Sequence, residues 1–158
     1  MLGQASGFFN VFDINTSTIM SSHEFTEAYH IYDIIAIDDN QLLLAAYNGL
    51  LKCTKDQVIK HYHKRKTVRS LSHVTDSLYL VGFYRHGLIL WNEQTDQQLS
   101  RIFDDPVLSI RRVLTTNNYI IKTPSEVKVV SINESSQFSV QQLLNARESW
   151  NLPDSLQL

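Results

Sequence analysis

The stretch Leu78–Asn92 reads LYLVGFYRHGLILWN, and the fold of the whole chain can be predicted outward from it. A strongly apolar run meets a short polar break at residues 84–87, and a second apolar run follows at once. Residues that favour strands on both sides of a glycine-containing turn are typical of a β-hairpin. The stretch Gln41–Thr54, QLLLAAYNGLLKCT, has the same pattern. We therefore expect a chain built from repeated hairpins.

Three kinds of marker recur along the chain at nearly the same spacing. The turn glycines Gly7, Gly49 and Gly87 are 42 and 38 residues apart. The apolar residues that open each unit, Ile31, Val68 and Val107, are 37 and 39 residues apart. Cys53 and Trp91, each at the end of a hairpin, are 38 residues apart. Strand-like units with a period of about forty residues are typical of propeller blades.

The markers divide the chain into four units. Residues 7–26 contain two strand-like runs, and residues 31–64, 68–104 and 107–144 contain four runs each. Short apolar runs with a turn signal every ~8–12 residues indicate an all-β protein. We predict an all-β, propeller-like array of four-stranded antiparallel blades, about three and a half in number. Such a ring is incomplete or open. Further blades, a second copy or another partner could complete it, or the chain could form an open array.

The end of the chain leaves two secondary structures open. Ser139 followed by Gln142 resembles a capping box, and Val140 and Leu143 would share one face of a helix over residues 139–149. A fourth strand of the last unit explains the same residues equally well. We divide the chain into a propeller-like domain, residues 1–144, and a C-terminal tail, residues 145–158, which is disordered at its end and begins as a short helix if the first alternative holds.

Composition limits the classes of function. The 158 residues suffice for one domain, and the formal net charge of −2 together with the lack of a stacking-aromatic motif argues against nucleic acid as a partner. The lone cysteine, Cys53, cannot form an internal disulfide, so we expect a reducing compartment and predict the cytoplasm. The start lacks the pattern of a secretory signal, and the longest apolar run is far short of the ~20 residues that cross a bilayer, so we expect no membrane partner.

At this point the units resemble WD40-type propeller repeats over about residues 5–144. The family's strongest local mark is Asp-Gly, four residues, then Trp-Asp, and residues 6–13, SGFFNVFD, have that spacing with Ser6 in the Asp place and Phe12 in the Trp place. Residues 86–92, HGLILWN, are one residue shorter and keep the Trp. The resemblance implies a β-propeller that works as a non-catalytic scaffold and presents its loops to other proteins, with no cofactor and no metal.

Positive charge is concentrated in one stretch. Residues 52–69 carry seven basic side chains and one acidic one, a local charge of 7 − 1 = +6, whereas the remainder carries 7 − 15 = −8. In the resembled family the link between blades and the turn inside each hairpin emerge on the same face. We therefore predict a partner-binding surface that attracts an acidic or phosphorylated segment of a protein. Its residues are Asn48, Lys64, Arg65, Lys66, Arg69, Arg85 and His86.

Two alternatives to this interaction module remain open. His61 and His63 would face the same side of a strand and could supply two ligands of a zinc site in a β-rich metal protein or hydrolase. The residue types of a hydrolytic catalytic triad occur close together in the sequence, at Ser70, Ser72, His73 and Asp76, but without the glycines of a nucleophile elbow. The second alternative is an assembly element whose exposed edge strand completes a partner's sheet.

Overall fold

The computed structural model describes residues 2–3, 7–114 and 116–145, and all the regular structure among them is β. Fifteen strands form four antiparallel sheets. The first sheet consists of β1 Leu2–Gly3, β2 Phe8–Asp13 and β3 Thr18–Glu24. The second consists of β4 Ile31–Ala36, β5 Leu42–Ala46, β6 Gly49–Cys53 and β7 Val58–Tyr62. The third consists of β8 Val68–Thr75, β9 Leu78–Phe83, β10 Gly87–Asn92 and β11 Gln97–Phe103. The fourth consists of β12 Ser109–Arg112, β13 Asn118–Lys122, β14 Glu126–Ile132 and β15 Phe138–Asn145.

Within each sheet the strands follow one another in chain order. Every connection is therefore a hairpin, and each sheet is one of the predicted four-stranded units or a shortened version of it. The all-β, propeller-like prediction is confirmed. In the described part of the chain, nothing helical could serve as a membrane span.

The first unit differs from the prediction of two strands. A two-residue strand, β1, pairs antiparallel with β2, with Leu2 opposite Asn10 and Gly3 opposite Phe9. The sheet therefore has three strands. Among the described residues, nothing corresponds to the innermost strand of the other three sheets. Two residues are too few to show an alternating pattern, so no pattern in the sequence indicated this strand.

The last unit ends in a strand. β15 pairs with β14 along its whole length, with Val130 opposite Val140 and Ile132 opposite Phe138. The helical alternative is therefore wrong for residues 139–145, because main-chain bonding to β14 decided the conformation over a local capping signal. Residues 146–158, which make up nearly all of the predicted tail, lie outside the described residues.

Apolar side chains fill the three spaces between successive sheets. Phe9 of the first sheet packs with Leu44 and Leu51 of the second. The other face of the second sheet packs through Leu43 and Tyr62 on the third, and the third packs on the fourth through clusters of buried aliphatic and aromatic residues. Among the described residues no cluster lies between the fourth sheet and the first, so the array is open.

A polar relay joins the innermost strands of three sheets. The Asp33 carboxylate accepts bonds from the Ser70 hydroxyl (2.8 Å) and the Leu71 N–H (3.0 Å), and the Ser70 oxygen accepts one from the Ile110 N–H (3.0 Å). Register shifts between Ile31 and Asp33 and between Val68 and Ser70 occur at equivalent places in β4 and β8. Such bulges redirect a side chain, and here they accompany side chains that bond to the next sheet.

We expect Ser70→Ala to lower the free energy of unfolding by about 1–3 kcal/mol, because it leaves the buried Ile110 N–H without its acceptor and removes one of the donors to the Asp33 carboxylate. Urea denaturation measures the change. Ser139→Ala, at an exposed position of β15, is the matched control and should stay within about 0.5 kcal/mol of the parent. Equal effects of the two substitutions would contradict a structural role for the relay.

Candidate protein-interaction surface

The link between the second and third sheets lies against the hairpin turns of both. The Arg65 N–H donates to the Asn48 carbonyl in the β5–β6 turn (2.9 Å). The Tyr84 N–H, at the start of the β9–β10 turn, donates to the Thr67 carbonyl in the link (3.0 Å). The two turns and the link therefore meet at one end of the sheets, which is the arrangement that the resemblance implied. We call the predicted contact set the basic surface: Asn48, Lys64, Arg65, Lys66, Arg69, Arg85 and His86.

Four members of the basic surface line one cavity of about 630 Å³. They are Asn48, Arg65, Arg85 and His86, and the remaining lining residues are Tyr47, Thr67 and Tyr84. The described lining contains two arginines and no Asp or Glu, so its charge is positive. Arg65, Arg85 and His86 are exposed, which leaves their donor groups available to a ligand.

The other three members lie beside the cavity. Lys64 is exposed in the link, and Lys66 is half-buried with its ammonium 5.9 Å from the centre of the Phe83 ring. Arg69 lies on the innermost strand β8. The structure therefore places all seven predicted residues on or next to one link and its two turns.

Arg69 is held by aromatic rings. Its guanidinium carbon lies 4.2 Å from the centre of the Tyr32 ring and 6.0 Å from that of Tyr84. The faces of aromatic rings attract a guanidinium at such distances, and the planar fork of its N–H groups is well suited to a carboxylate or a phosphate. The Nε atom of Arg69 is buried without a hydrogen-bond partner. Tyr84 also lines the cavity, so Arg69 adjoins it.

Asn48 has a structural role in addition to its predicted one. Its side-chain NH₂ group donates to the Glu27 carbonyl, and its own carbonyl accepts from Arg65 and lies 3.1 Å from the His61 ring nitrogen Nε2. Gly49, which follows it, has φ of +150° and its missing Cβ would collide with the same imidazole. Asn48 thus helps to hold the turn against the link, while its buried Oδ1 has no partner.

The basic stretch that the sequence showed is divided by the fold. The Lys52 ammonium bonds to the buried Glu93 carboxylate (2.9 Å), and Lys60 of the outer strand β7 pairs with Asp96 in the β10–β11 turn (3.4 Å). Lys55 lies in the loop at the other end of the second sheet. Only the residues from Lys64 onward contribute to the surface, and Arg85 and His86 of the next sheet join them.

His61 and His63 have different surroundings and do not form a pair of metal ligands. His61 faces the β5–β6 turn, whereas His63 follows the end of β7 with φ of +47° and packs on Phe83 and Trp91, with ring centres 5.2 and 5.5 Å away. The prediction that both face one side of a strand fails because β7 ends at Tyr62. Among the described residues no group of three His, Cys, Asp or Glu side chains comes together.

The candidate triad residues also serve the fold. Ser70 and Ser72 are buried, and Ser70 belongs to the relay between sheets. The His73 ring nitrogen Nε2 lies 3.0 Å from the Asp76 main-chain oxygen, so the contact involves no carboxylate. These contacts do not form the nucleophile, base and acid chain that hydrolysis by a triad requires.

Two tyrosines of the cavity were missed in the sequence. Tyr47 and Tyr84 are both exposed and stand 37 residues apart, each just before a hairpin turn. Exposed tyrosines close to arginines are common in protein interfaces. Their repetition at the spacing of Ile31 and Val68, also 37 residues, was the signal that could have identified them.

A second cavity, of about 770 Å³, lies between the first and second sheets. The loops at residues 38–40 and 54–57 line it and carry three aspartates, Asp38, Asp39 and Asp56, together with Lys55. In a sheet of successive hairpins these loops emerge at the end opposite the β5–β6 turn. The loops at the two ends of the strands therefore form surfaces of opposite charge, with the basic surface at one end and these aspartates at the other.

Comparison with known proteins supports the fold. No protein-family model matches the chain, and no curated protein is similar to it in sequence. Among solved structures, the computationally designed Ika4 protein aligns with a TM-score of 0.58 and 14% identity, over 90% of this chain and 83% of that one. The WD40 β-propeller domain of Doa1 aligns with a TM-score of 0.70 and 17% identity, over 89% of this chain and 49% of that one. A chain of the mitotic checkpoint complex aligns with a TM-score of 0.62 and 12% identity, over 90% and 48%.

The present chain spans about half the length of the Doa1 and checkpoint chains. At these identities the likeness concerns architecture alone, and it shows that the four sheets are arranged as in a propeller.

His63 makes stability depend on pH. Burial and, to a smaller extent, the charge of Lys66 lower the pKa of His63 from 6.5 to about 4. Between these values the unfolded chain binds a proton at this residue and the folded chain does not, so the contribution of His63 is fully present above about pH 6.5 and is lost as the pH falls toward 4. Urea midpoints at about pH 7 and about pH 5 should therefore differ less in His63→Asn than in the parent.

Asn is chosen because it tolerates the positive φ of residue 63. His86→Asn, at an exposed position of the same region, is the control and should keep the parental pH dependence. An unchanged pH dependence in His63→Asn would show that another group causes the effect.

Proposed function

We propose that the chain is a non-catalytic protein-interaction module of WD40-like propeller type, and that its basic surface binds an acidic or phosphorylated segment of a partner protein. The observation that carries the proposal is the cavity in which Arg65, Arg85 and His86 surround two exposed tyrosines. A chain of net charge −2 concentrates cations there, at exposed positions of its loops.

The chemistry of the surface favours an anionic segment. Arg65 and Arg85 each offer a planar fork of N–H donors that can hold two oxygens of one carboxylate or phosphate. Tyr47 and Tyr84 offer rings for apolar contact and hydroxyl groups for hydrogen bonds. A cavity of about 630 Å³ between two turns is large enough for one or two side chains of an extended peptide.

A reducing compartment such as the cytoplasm is part of the proposal. Its support is the single cysteine, Cys53, which is buried and unpaired. Burial raises the pKa of the Cys53 thiol to about 12, so the group stays protonated and inert at neutral pH.

The proposal is tested with two fluorescent peptides of equal length, one rich in Glu and Ser and one with phosphoserine at the same serine positions. We expect both to bind, and binding to weaken as salt is added, because exposed charges are screened. Replacing Lys64, Arg65 and Lys66 together by Glu should weaken binding at least about tenfold, since three attractions become repulsions. Fluorescence anisotropy measures the dissociation constants.

A second triple variant controls for net charge. Lys55, Lys60 and Arg101 are exposed cations outside the basic surface, and their replacement by Glu changes the chain by the same six charges. This variant should bind nearly as well as the parent. Failure of the parent to bind either peptide, or equal weakening in both triple variants, would remove the basic surface as the contact site.

A further inference from the structure

We propose that two copies of the chain associate head to tail and close one ring of eight sheets. The outward face of the first sheet of each copy packs on the outward face of the fourth sheet of the other. The first end face consists of Phe8, Asn10, Phe12, Ile19, Ser22 and Glu24, and the fourth end face consists of Arg111, Ile120, Lys122, Val127 and Val129. The two end faces share no residue with the basic surface.

The first end face carries an aromatic residue at a position that is buried in the other sheets. Asp13 and Asn92 each end a strand and bond to the main chain of the turn that follows, so Phe12 and Trp91 are equivalent. Trp91 is 0% exposed because it packs on the second sheet, whereas Phe12 is 40% exposed and stands opposite the exposed Ile19. A sheet before the first one would bury Phe12 as the second sheet buries Trp91.

The fourth end face shows the complementary feature. Ile120 pairs with Val129 across β13 and β14, as Leu80 pairs with Leu90 across β9 and β10. Leu80 is 0% exposed against the fourth sheet, but Ile120 is 36% exposed. Val127, two residues before Val129, continues the apolar row on the same face. These residues are apolar where a following sheet would cover them.

The charges of the two end faces are opposite in sign. Glu24 stands opposite Phe8 on the first end face. On the fourth end face Arg111 stands opposite Ile120, and Lys122 stands opposite Val127. A face that carries two phenylalanines and an acidic residue therefore meets an apolar row flanked by basic residues, which favours head-to-tail contact over contact between two identical faces.

The size of the array fits two copies in one ring. The four sheets superpose on about half of the Doa1 propeller domain, so successive sheets turn by the angle of a ring larger than four. The two ends of one copy consequently do not meet, and both apolar faces stay uncovered in the structure. Two such half rings close with twofold symmetry and leave no free end, and eight sheets lie within the usual range of about four to eight.

The experiment measures the mass of the chain in solution by sedimentation equilibrium. We expect a species of twice 18.2 kDa at a chain concentration of about 50 µM. Phe12→Lys and Ile120→Lys, which place a charge in one end face each, should raise the dissociation constant at least about tenfold. Leu99→Lys is the matched control, because Leu99 is 45% exposed on the outer strand β11 and belongs to neither end face. Circular dichroism confirms that each variant is folded.

A charge exchange tests the head-to-tail arrangement. Glu24→Lys and Lys122→Glu should each weaken the dimer, and a chain carrying both substitutions should recover the parental dissociation constant to within about threefold, because each acid again faces a base.

Three outcomes would overturn the proposal. They are a parental chain that is monomeric at this concentration, a series of oligomers that grows with concentration, and a double variant as weak as the single ones. Loss of the dimer in Leu99→Lys would likewise exclude the end faces as the contact.

Discussion

The structure depends on sheets that are apolar on both faces. Strands β9 and β10 are buried at almost every position, so their side chains pack on the second sheet in one direction and on the fourth in the other. A sheet of this kind exposes a large apolar area unless it has a neighbour on each side. Radial stacking buries both faces of the second and third sheets, and it leaves the outward faces of the first and fourth sheets uncovered. The same constraint thus explains the fold and the proposed pairing of two copies.

Polar contacts add specificity to this apolar stacking. The relay from Asp33 through Ser70 to the Ile110 N–H aligns the innermost strands, and Glu93 accepts bonds from the Tyr62 hydroxyl (2.7 Å) and the Lys52 ammonium (2.9 Å) between the second and third sheets. Because these contacts hold the sheets at the strands, the exposed positions of the links and turns are not needed for packing. They can carry charged and aromatic side chains, and the basic surface uses this freedom.

The candidate site could be predicted in part. The link at residues 64–66 and the turns at Asn48 and Arg85 were placed on one face by analogy, and the structure brings them together around one cavity. Tyr47 and Tyr84 were not predicted, because only the tertiary structure shows that the two exposed rings lie in the same cavity as the arginines. The local charge of +6 did not show that Lys52 belongs to a buried ion pair, because its acid, Glu93, lies 41 residues away in the sequence.

By itself the sequence determined the strands, the period of about forty residues and the all-β class, because apolar runs and turn residues act over a few neighbouring positions. Tertiary structure alone decided the short strand β1, the strand in place of a helix at residues 138–145, and the separate roles of His61 and His63. Each of these outcomes depends on a neighbouring strand or on the next sheet, and local pattern does not report which residues those partners supply. The uncovered faces at the two ends have the same origin, since only the stacked sheets show which apolar positions lack a neighbour.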